Sequence, residues 1–303
     1  MRSFILAFLL SIVTLTAVPV FADEAKDTKE LGLKAKTAVA LLYSQDDSGG
    51  MHMHCTATAY EKFARDEKVA DHDVKVQGYH FVTAAHCVGN DRKSKAKSAD
   101  ASRIPFFLTF DEVNAPKVYY PAKPILIGYQ SKGDDFSAFE VQTDKEWTVI
   151  PLGDEKKAKD GEKIVNVASP LGLGKQVFEG TISSLYIDRP VISGDINWKG
   201  AMFLQISAGP GSSGSSIISV EQKAIVGFLV GTVGGNNIVA IPVSRFKTVI
   251  QQVADGKYKY FKPSDADEGG DSDDDDSIGA LQQVQWNIAL HWYPELRSIQ
   301  QHQ

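Results

Sequence analysis

The chain of 303 residues is 43% hydrophobic, 23% charged and 10% aromatic, a composition that matches a folded protein and excludes wholesale disorder and collagen-like repetition. Its 32 basic and 38 acidic residues give a net charge of −6, so nucleic acid is not an expected partner. Two cysteines exclude a disulfide-rich miniprotein and a four-cysteine zinc site, which leaves one bridge or two free thiols.

The N-terminus has the pattern of a secretory signal peptide. Arg2 precedes an apolar run over residues 4–18, and small residues lead to Ala22 before the acidic Asp23. An uncleaved membrane anchor is the alternative, but such an anchor normally needs about 20 apolar residues. The sequence therefore predicts a signal peptide over residues 1–22, a periplasmic or secreted protein, and no stable membrane insertion after cleavage.

The body of the chain, residues 37–260, follows a lead-in over residues 23–36 and has the pattern of a β protein. Short runs of β-branched and aromatic residues alternate with turn residues, and this pattern predicts an all-β sandwich or barrel. The predicted strands are residues 37–43, 78–83, 104–110, 125–129, 136–141, 163–168, 176–184, 201–206, 224–230 and 237–242. The charged segments 61–75 and 91–103 are expected to be solvated loops, and residues 245–253 a short helix.

The composition changes after Tyr260. Acidic residues dominate the following segment, so an unstructured linker is predicted over residues 261–277. A calcium loop is disfavoured because the glutamate expected at the twelfth position of an EF-hand is missing. Beyond the linker, apolar residues recur at helical spacing and predict an amphipathic helix or tail over residues 278–303.

Three separate segments suggest nucleophilic catalysis. His86 follows a β-rich run and two alanines, Asp135 immediately precedes an apolar strand, and Ser213 lies in a loop of small residues. Each is most often structural when it occurs alone, but together their order is one of the known chain orders of a Ser-His-Asp site. A serine hydroxyl needs an imidazole to accept its proton, and the imidazole needs a carboxylate to orient it. We therefore predict these three residues as a catalytic triad, with Asp134 as the competing acid.

The same loop also predicts an oxyanion hole. Gly211 stands two residues before Ser213 and permits a turn in which the N–H groups of both residues converge on one point.

Two motifs carry a resemblance to a known family. Residues 83–87, Thr-Ala-Ala-His-Cys, resemble the histidine motif of the chymotrypsin/trypsin-like serine peptidases, and residues 210–214, Pro-Gly-Ser-Ser-Gly, resemble the nucleophile loop of their bacterial Deg/HtrA-type branch. The resemblance extends over about residues 37–253 and includes a glycine-rich turn, the strand after it and a closing strand, at residues 164–174, 180–183 and 240–243. It implies two six-stranded β-barrels with the active site between them, and endopeptidase activity on proteins or peptides, with no cofactor or metal.

The resemblance also has implications for individual residues. It implies a disulfide between Cys55 and Cys87, and it favours Asp135 over Asp134 because the apolar-small-apolar sequence that follows matches the family. The chain departs from the family at Ser215-Ser216, where glycine and proline are usual, and at Ser212, where trypsin-like zymogens carry an aspartate. Activation by a freed N-terminus is therefore not expected, and no PDZ-like domain is expected after the peptidase body.

The residues expected to form the substrate pocket point to a small or apolar side chain before the scissile bond. Ser207 falls near the pocket floor of the family, where no acidic residue is evident, and Leu229, Val230 and Gly231 are expected to line the walls.

The sequence is also compatible with two other functions. His52 and His54 alternate with methionines and would share one face of a strand, which suits copper or zinc, although a solvent-facing strand is favoured. The rival function for the whole chain is a catalytically inactive peptidase fold that binds peptides or a partner protein.

Overall fold

The computed structural model describes residues 18–45, 49–69, 72–88, 106–110, 118–128, 133–187, 192–193, 196–197, 200–233 and 237–257. The chain divides into two compact units, Met1–Pro263 and Ser264–Gln303. The second unit lies outside the described residues, together with residues 1–17, the charged segment 91–103, the acidic linker and the predicted helix at 278–303. Among the described residues, no helix combines the length and the apolar character that crossing a membrane requires.

Six strands close into a first barrel in the order β1-β2-β3-β6-β5-β4. They are β1 (Val39–Gln45), β2 (Met51–Val69), β3 (His72–Thr83), β4 (Phe106–Thr109), β5 (Tyr120–Ile127) and β6 (Ser137–Gln142). Alternate residues of such strands point inward, and the fully buried Phe81, Leu108 and Phe139 belong to the resulting core.

A second barrel closes in the order β11-β14-β13-β12-β7-β8. Its strands are β7 (Lys163–Ala168), β8 (Gln176–Ser184), β11 (Met202–Gln205), β12 (Ser216–Ser219), β13 (Ala224–Val233) and β14 (Asn237–Pro242), and a small separate ladder joins β9 (Ile192–Ser193) to β10 (Ile196–Asn197). The all-β prediction and the two six-stranded barrels are thus confirmed.

Two helices each contact both barrels. Helix α1 (Val18–Ala38) runs directly into β1 of the first barrel but packs on β7 and β8 of the second. Helix α2 (Val243–Ala254) follows β14, as the sequence predicted within two residues at its start and one at its end. Its buried Phe246 makes edge-to-face contacts with Tyr60 and Phe136 beside the first barrel and with Phe228 of the second, at centroid distances of 5.3–5.4 Å.

One sequence prediction needs correction. Residues 61–75 were expected to be a loop, but β2 and β3 pair through this region as a long ribbon, with Val69 opposite His72 at its tip. Most side chains of the ribbon are exposed on both faces, so its strands lack the apolar alternation by which sequence patterns reveal a half-buried strand. The expected lead-in at residues 23–36 lies within helix α1.

Candidate active site

The register of two strands brings His86 and Asp135 together. Strand β3 ends at Thr83, which pairs with Ser137 at the start of the antiparallel strand β6. The turn Ala85–Val88 follows β3, and Asp135 lies two residues before β6, so both are at the same end of the first barrel. Residues separated by 49 positions in the chain therefore become neighbours.

Asp135 contacts both the backbone and the ring of His86. The His86 N–H donates to Asp135 Oδ1 at 3.0 Å, and His86 Nδ1 lies 2.8 Å from Asp135 Oδ2. The Asp135 side chain is fully buried, whereas the His86 side chain is 24% exposed. Because a carboxylate only accepts hydrogen bonds, the proton of a neutral His86 is held on Nδ1, and the lone pair of Nε2 is the one that can accept a proton.

The neighbouring Asp134 has a different partner. Arg245 at the start of helix α2 donates from Nε to Asp134 Oδ1 at 2.6 Å, and Gly133 packs against the same guanidinium group. Consecutive residues point in different directions here, so one carboxylate contacts His86 and the other anchors the helix.

The predicted disulfide is present. Cys55 on β2 and Cys87 in the turn are bonded, with a Cα–Cα distance of 6.0 Å. The bond ties the turn that holds His86 to the strand beside it. Among the described residues, Cys55, His86 and Cys87 form the one group with the spacing of metal ligands, but the disulfide occupies both sulfur atoms.

The loop that holds Ser213 is anchored through its carbonyl groups. Pro210 O accepts from Leu171 N at 2.6 Å, and Ser212 O accepts from Ser215 N at 3.1 Å. Gly211 O and Ser213 O both accept from Thr56 of the first barrel, the former from its hydroxyl at 2.8 Å and the latter from its N–H at 3.0 Å.

Alternate N–H groups of the same loop donate hydrogen bonds within the protein. Ser212 N donates to Gly209 O at 2.9 Å, and Gly214 N donates to Leu229 O at 2.7 Å. Within the described part of the chain, the N–H groups of Gly211 and Ser213 have no protein acceptor. These are the two N–H groups that the sequence predicts as oxyanion donors, and Ser213 itself is half-buried.

The loop that holds Ser213 contacts the segment just before the turn that holds His86. Gly214 has a φ of +81°, and a Cβ atom at this position would lie 2.6 Å from Ala84 N and Thr56 O and closer still to Thr83 Oγ1. Only glycine fits this approach without displacement of the backbone. The residue after Ser213 therefore packs against the segment that leads into His86.

The expected pocket residues differ in their exposure. Ser207 is exposed, whereas Leu229 and Val230 are 2% and 4% exposed and belong to two different core clusters. Gly231 is half-buried.

The strand with the two methionines is adjacent to the loop. His52 and His54 are both exposed, and His54 Nε2 is in contact with Ser44 Oγ. Partial desolvation of its ring, and secondarily the nearby His52, lower the pKa of His54. Met53 points toward Gly211, with its Cε 3.6 Å from the position a Cβ atom of Gly211 would occupy.

Sequence reasoning missed the role of Thr56 and of the turn Pro170–Gly172. Leu171 in this turn has a φ of +55°, a conformation that is strained for a non-glycine residue, and its N–H holds the nucleophile loop. The glycine-rich pattern marked the turn, but no local signal identifies Thr56, because the partners of its hydroxyl lie more than 100 residues away.

Comparison with known proteins agrees with this geometry. The family model for the trypsin-like peptidase domain matches residues 69–228, more than half of the chain. Among solved structures, Deg5 is similar over 76% of this chain and 95% of its own, with a TM-score of 0.54 and 14% identity.

Two structures of the HtrA-type protease AlgW are also similar. The one with a decapeptide has a TM-score of 0.55 and 13% identity over 76% of this chain and 68% of its own. The one with a tripeptide has a TM-score of 0.53 and 16% identity, and this chain spans 64% of its length. At such identities the likeness supports the fold alone, and the family match carries the assignment. This chain belongs to the trypsin-like peptidase family and is a serine endopeptidase.

Proposed function

We propose that the protein is an exported endopeptidase in which Ser213 is the nucleophile, His86 the general base and Asp135 the residue that orients the base. The observation that carries the proposal is the 2.8 Å contact between His86 Nδ1 and Asp135 Oδ2, and the segment just before the turn of His86 packs against the loop of Ser213. Both chemical roles follow from the tautomer that Asp135 fixes, in which Nδ1 carries the proton and Nε2 is the basic nitrogen.

The proposed reaction proceeds in two stages. Ser213 Oγ attacks the scissile carbonyl carbon while His86 Nε2 accepts its proton, and the imidazolium then protonates the leaving amine. Water, activated by the same imidazole, hydrolyses the acyl-enzyme and restores the serine. The buried Asp135 carboxylate stabilises the imidazolium at each stage without accepting its proton.

The N–H groups of Gly211 and Ser213 are the proposed donors to the developing oxyanion. Both are free of protein acceptors in the described part of the chain, so no internal hydrogen bond must break before they bind the intermediate. Loss of one such donor typically reduces turnover by about 10²- to 10³-fold.

Labelling with a fluorophosphonate probe tests the nucleophile and the base together. The full chain is expected to react, and the variants Ser213→Ala and His86→Ala are expected not to. Ser183→Ala, which alters an exposed serine on β8, is the matched control and should label like the unaltered protein. Equal labelling of all four proteins would contradict the proposal, whereas absence of labelling in all four would favour the inactive peptide-binding fold.

The proposed preference is for a small or apolar side chain before the scissile bond. It rests on Ser207, an exposed uncharged residue near the expected pocket floor, together with the expected walls at Leu229, Val230 and Gly231. Cleavage-site profiling of a proteome-derived peptide library should show alanine, valine or a similar residue at this position. Enrichment of lysine or arginine would overturn the preference and leave the triad unaffected.

Export is proposed from the signal-peptide pattern at residues 1–22 and from the disulfide, which persists in oxidising compartments. N-terminal sequencing of the exported protein should give Asp23 as the first residue. Retention of residues 1–22 on protein recovered from the cytoplasm would overturn this part of the proposal.

A further inference from the structure

Thr56 is a buried strand residue whose hydroxyl and backbone N–H bind distant loops. It lies on β2 of the first barrel and has no solvent exposure. Its hydroxyl donates to Gly211 O at 2.8 Å and accepts from Ser169 N at 3.1 Å, and both partners are loop residues that border the second barrel. Its backbone N–H donates to Ser213 O at 3.0 Å.

These contacts determine how the loop presents its amides. In a trans peptide the C=O and N–H groups point in opposite directions, so a hydrogen bond that holds one group also orients the other. The Gly211–Ser212 peptide stands between the two peptides whose N–H groups are free. Its carbonyl is held by the Thr56 hydroxyl and its N–H by Gly209 O, so this central peptide cannot rotate without breaking both bonds.

Thr56 also connects the loop to the base. Its carbonyl accepts from Thr83 Oγ1 at 2.9 Å, and Thr83 ends the strand that leads into the turn of His86. The preceding residue, Cys55, is disulfide-bonded to Cys87 in that turn. One residue of the first barrel therefore contacts the nucleophile loop, the turn at Ser169 and the strand before the base.

We infer that Thr56 is a positioning residue, which aligns the two oxyanion donors of the second barrel through its side-chain hydroxyl. The inference rests on the proposed function, since it assumes that Gly211 and Ser213 supply those donors. Thr56 itself does not contact the reacting atoms. It acts by holding the Gly211–Ser212 peptide, which lies between the two peptides that carry the donor N–H groups.

The test compares Thr56→Val and Thr56→Ser in the full chain. Valine keeps the shape and removes the hydroxyl, so kcat on a peptide substrate should fall about 10- to 100-fold because a displacement of about 1 Å in such groups costs up to about 10² in rate. KM should change less than about twofold. Serine retains the hydroxyl and should restore most of the kcat.

A transition-state analogue separates alignment from general damage. A peptide aldehyde forms a hemiacetal with the nucleophilic serine and places an oxyanion in the hole, so its inhibition constant should rise in Thr56→Val in proportion to the loss in kcat/KM. A product peptide, which binds without an oxyanion, should bind both proteins with similar affinity. A structural defect would weaken both ligands.

Thr58 provides the matched control. It lies two residues along the same strand and is equally buried, and its hydroxyl has no hydrogen-bond partner among the residues that the structure describes. Thr58→Val should therefore keep kcat and aldehyde affinity within about twofold of the unaltered protein. A loss in Thr58→Val equal to that in Thr56→Val would overturn the inference, because removal of either hydroxyl would then act through packing.

Three further outcomes would also overturn the inference: an unchanged kcat in Thr56→Val, a kcat in Thr56→Ser as low as in Thr56→Val, or equal weakening of aldehyde and product. If Thr56→Val does not fold, the hydroxyl proton of Thr56 in the unaltered protein gives the answer by NMR. Exchange at the rate of a free hydroxyl contradicts the inference, and slow exchange supports it. Failure of the proposed function is separate, since it would appear as fluorophosphonate labelling that does not depend on Ser213.

Discussion

The turn that holds His86 and the loop that holds Ser213 are stabilised in different ways. The turn is attached to its own barrel by a disulfide and by the buried Asp135 carboxylate, which contacts both the backbone and the ring of His86. The loop has no covalent tie. Its carbonyl groups are held by hydrogen bonds, and Gly211 O and Ser213 O bind a residue of the other barrel.

This difference separates two ways of organising a catalytic group. A side chain such as His86 needs one orienting partner, and the partner can be recognised by its chemistry. Backbone N–H groups are oriented only when the peptide planes around them are held, which takes several contacts from distant segments. The turn should therefore depend on a few residues strongly, and the loop on many residues moderately.

The largest expected effect is at the acid. Asp135→Asn should reduce kcat by about 10⁴-fold, since an amide in place of the carboxylate favours the wrong imidazole tautomer. Asp134→Asn is the control, because it alters only the contact with Arg245 and should retain most of the activity. Steady-state kinetics of both variants checks this prediction. Equal losses would mean that the two aspartates share the role.

The second largest expected effect is a loss of stability when the disulfide is removed. Replacing both Cys55 and Cys87 by serine should lower the free energy of unfolding by about 3–4 kcal/mol, as the chain-entropy model gives for a bridge with a sequence separation of 32 residues. Urea denaturation of the double variant measures this change. Equal stability of the bridged and unbridged proteins would show that hydrogen bonds alone hold the turn.

The third effect concerns the contact between turn and loop. Gly214→Ala should lower the free energy of unfolding by about 1–3 kcal/mol more than Gly161→Ala, because the new methyl group meets backbone atoms of Ala84 and Thr56. Gly161 has a similar positive φ of +85° but open space around it, so it controls for backbone strain. Thermal or urea unfolding compares the two variants, and equal destabilisation would contradict the close packing.

A further effect is a pH dependence of stability in the first barrel. Burial opposes ionisation of Glu140, but the nearby His80 and the hydrogen bonds from Arg65 and Gln142 outweigh it and lower the pKa from 4.5 to about 2. The ionised form thus stabilises the folded state above pH 4.5, and this contribution is lost as the pH falls from 4.5 towards 2. Glu140→Gln should flatten the decrease in stability over this range. If the free energy of unfolding falls equally with pH in Glu140→Gln and in the unaltered protein, Glu140 is not the source of the decrease.

Much of the fold could be predicted from local patterns. Strands β7, β8 and β14 match the predicted ranges at both ends, because a buried strand bounded by turn residues is a local feature. The β2–β3 ribbon could not be recognised, since its exposed faces carry charges that are also typical of loops. Helix α1 was missed because its first residues coincide with the signal-peptide pattern.

The candidate site divides in the same way. The motifs around His86 and Ser213 are contiguous and could be found by inspection, and the disulfide followed from the family resemblance. The contact of Asp135 with His86, and of Asp134 with Arg245, needed the structure, because neighbouring carboxylates are chemically identical in a sequence.

The sequence by itself determined the kind of residues available for catalysis, the β character of the body and the positions of its turns, because these depend on side-chain chemistry and on short-range periodicity. Only the tertiary structure decided which carboxylate meets the imidazole and which residue holds the nucleophile loop. Those outcomes depend on strand register and on the docking of two barrels, which place Thr56 beside residues 155 positions away.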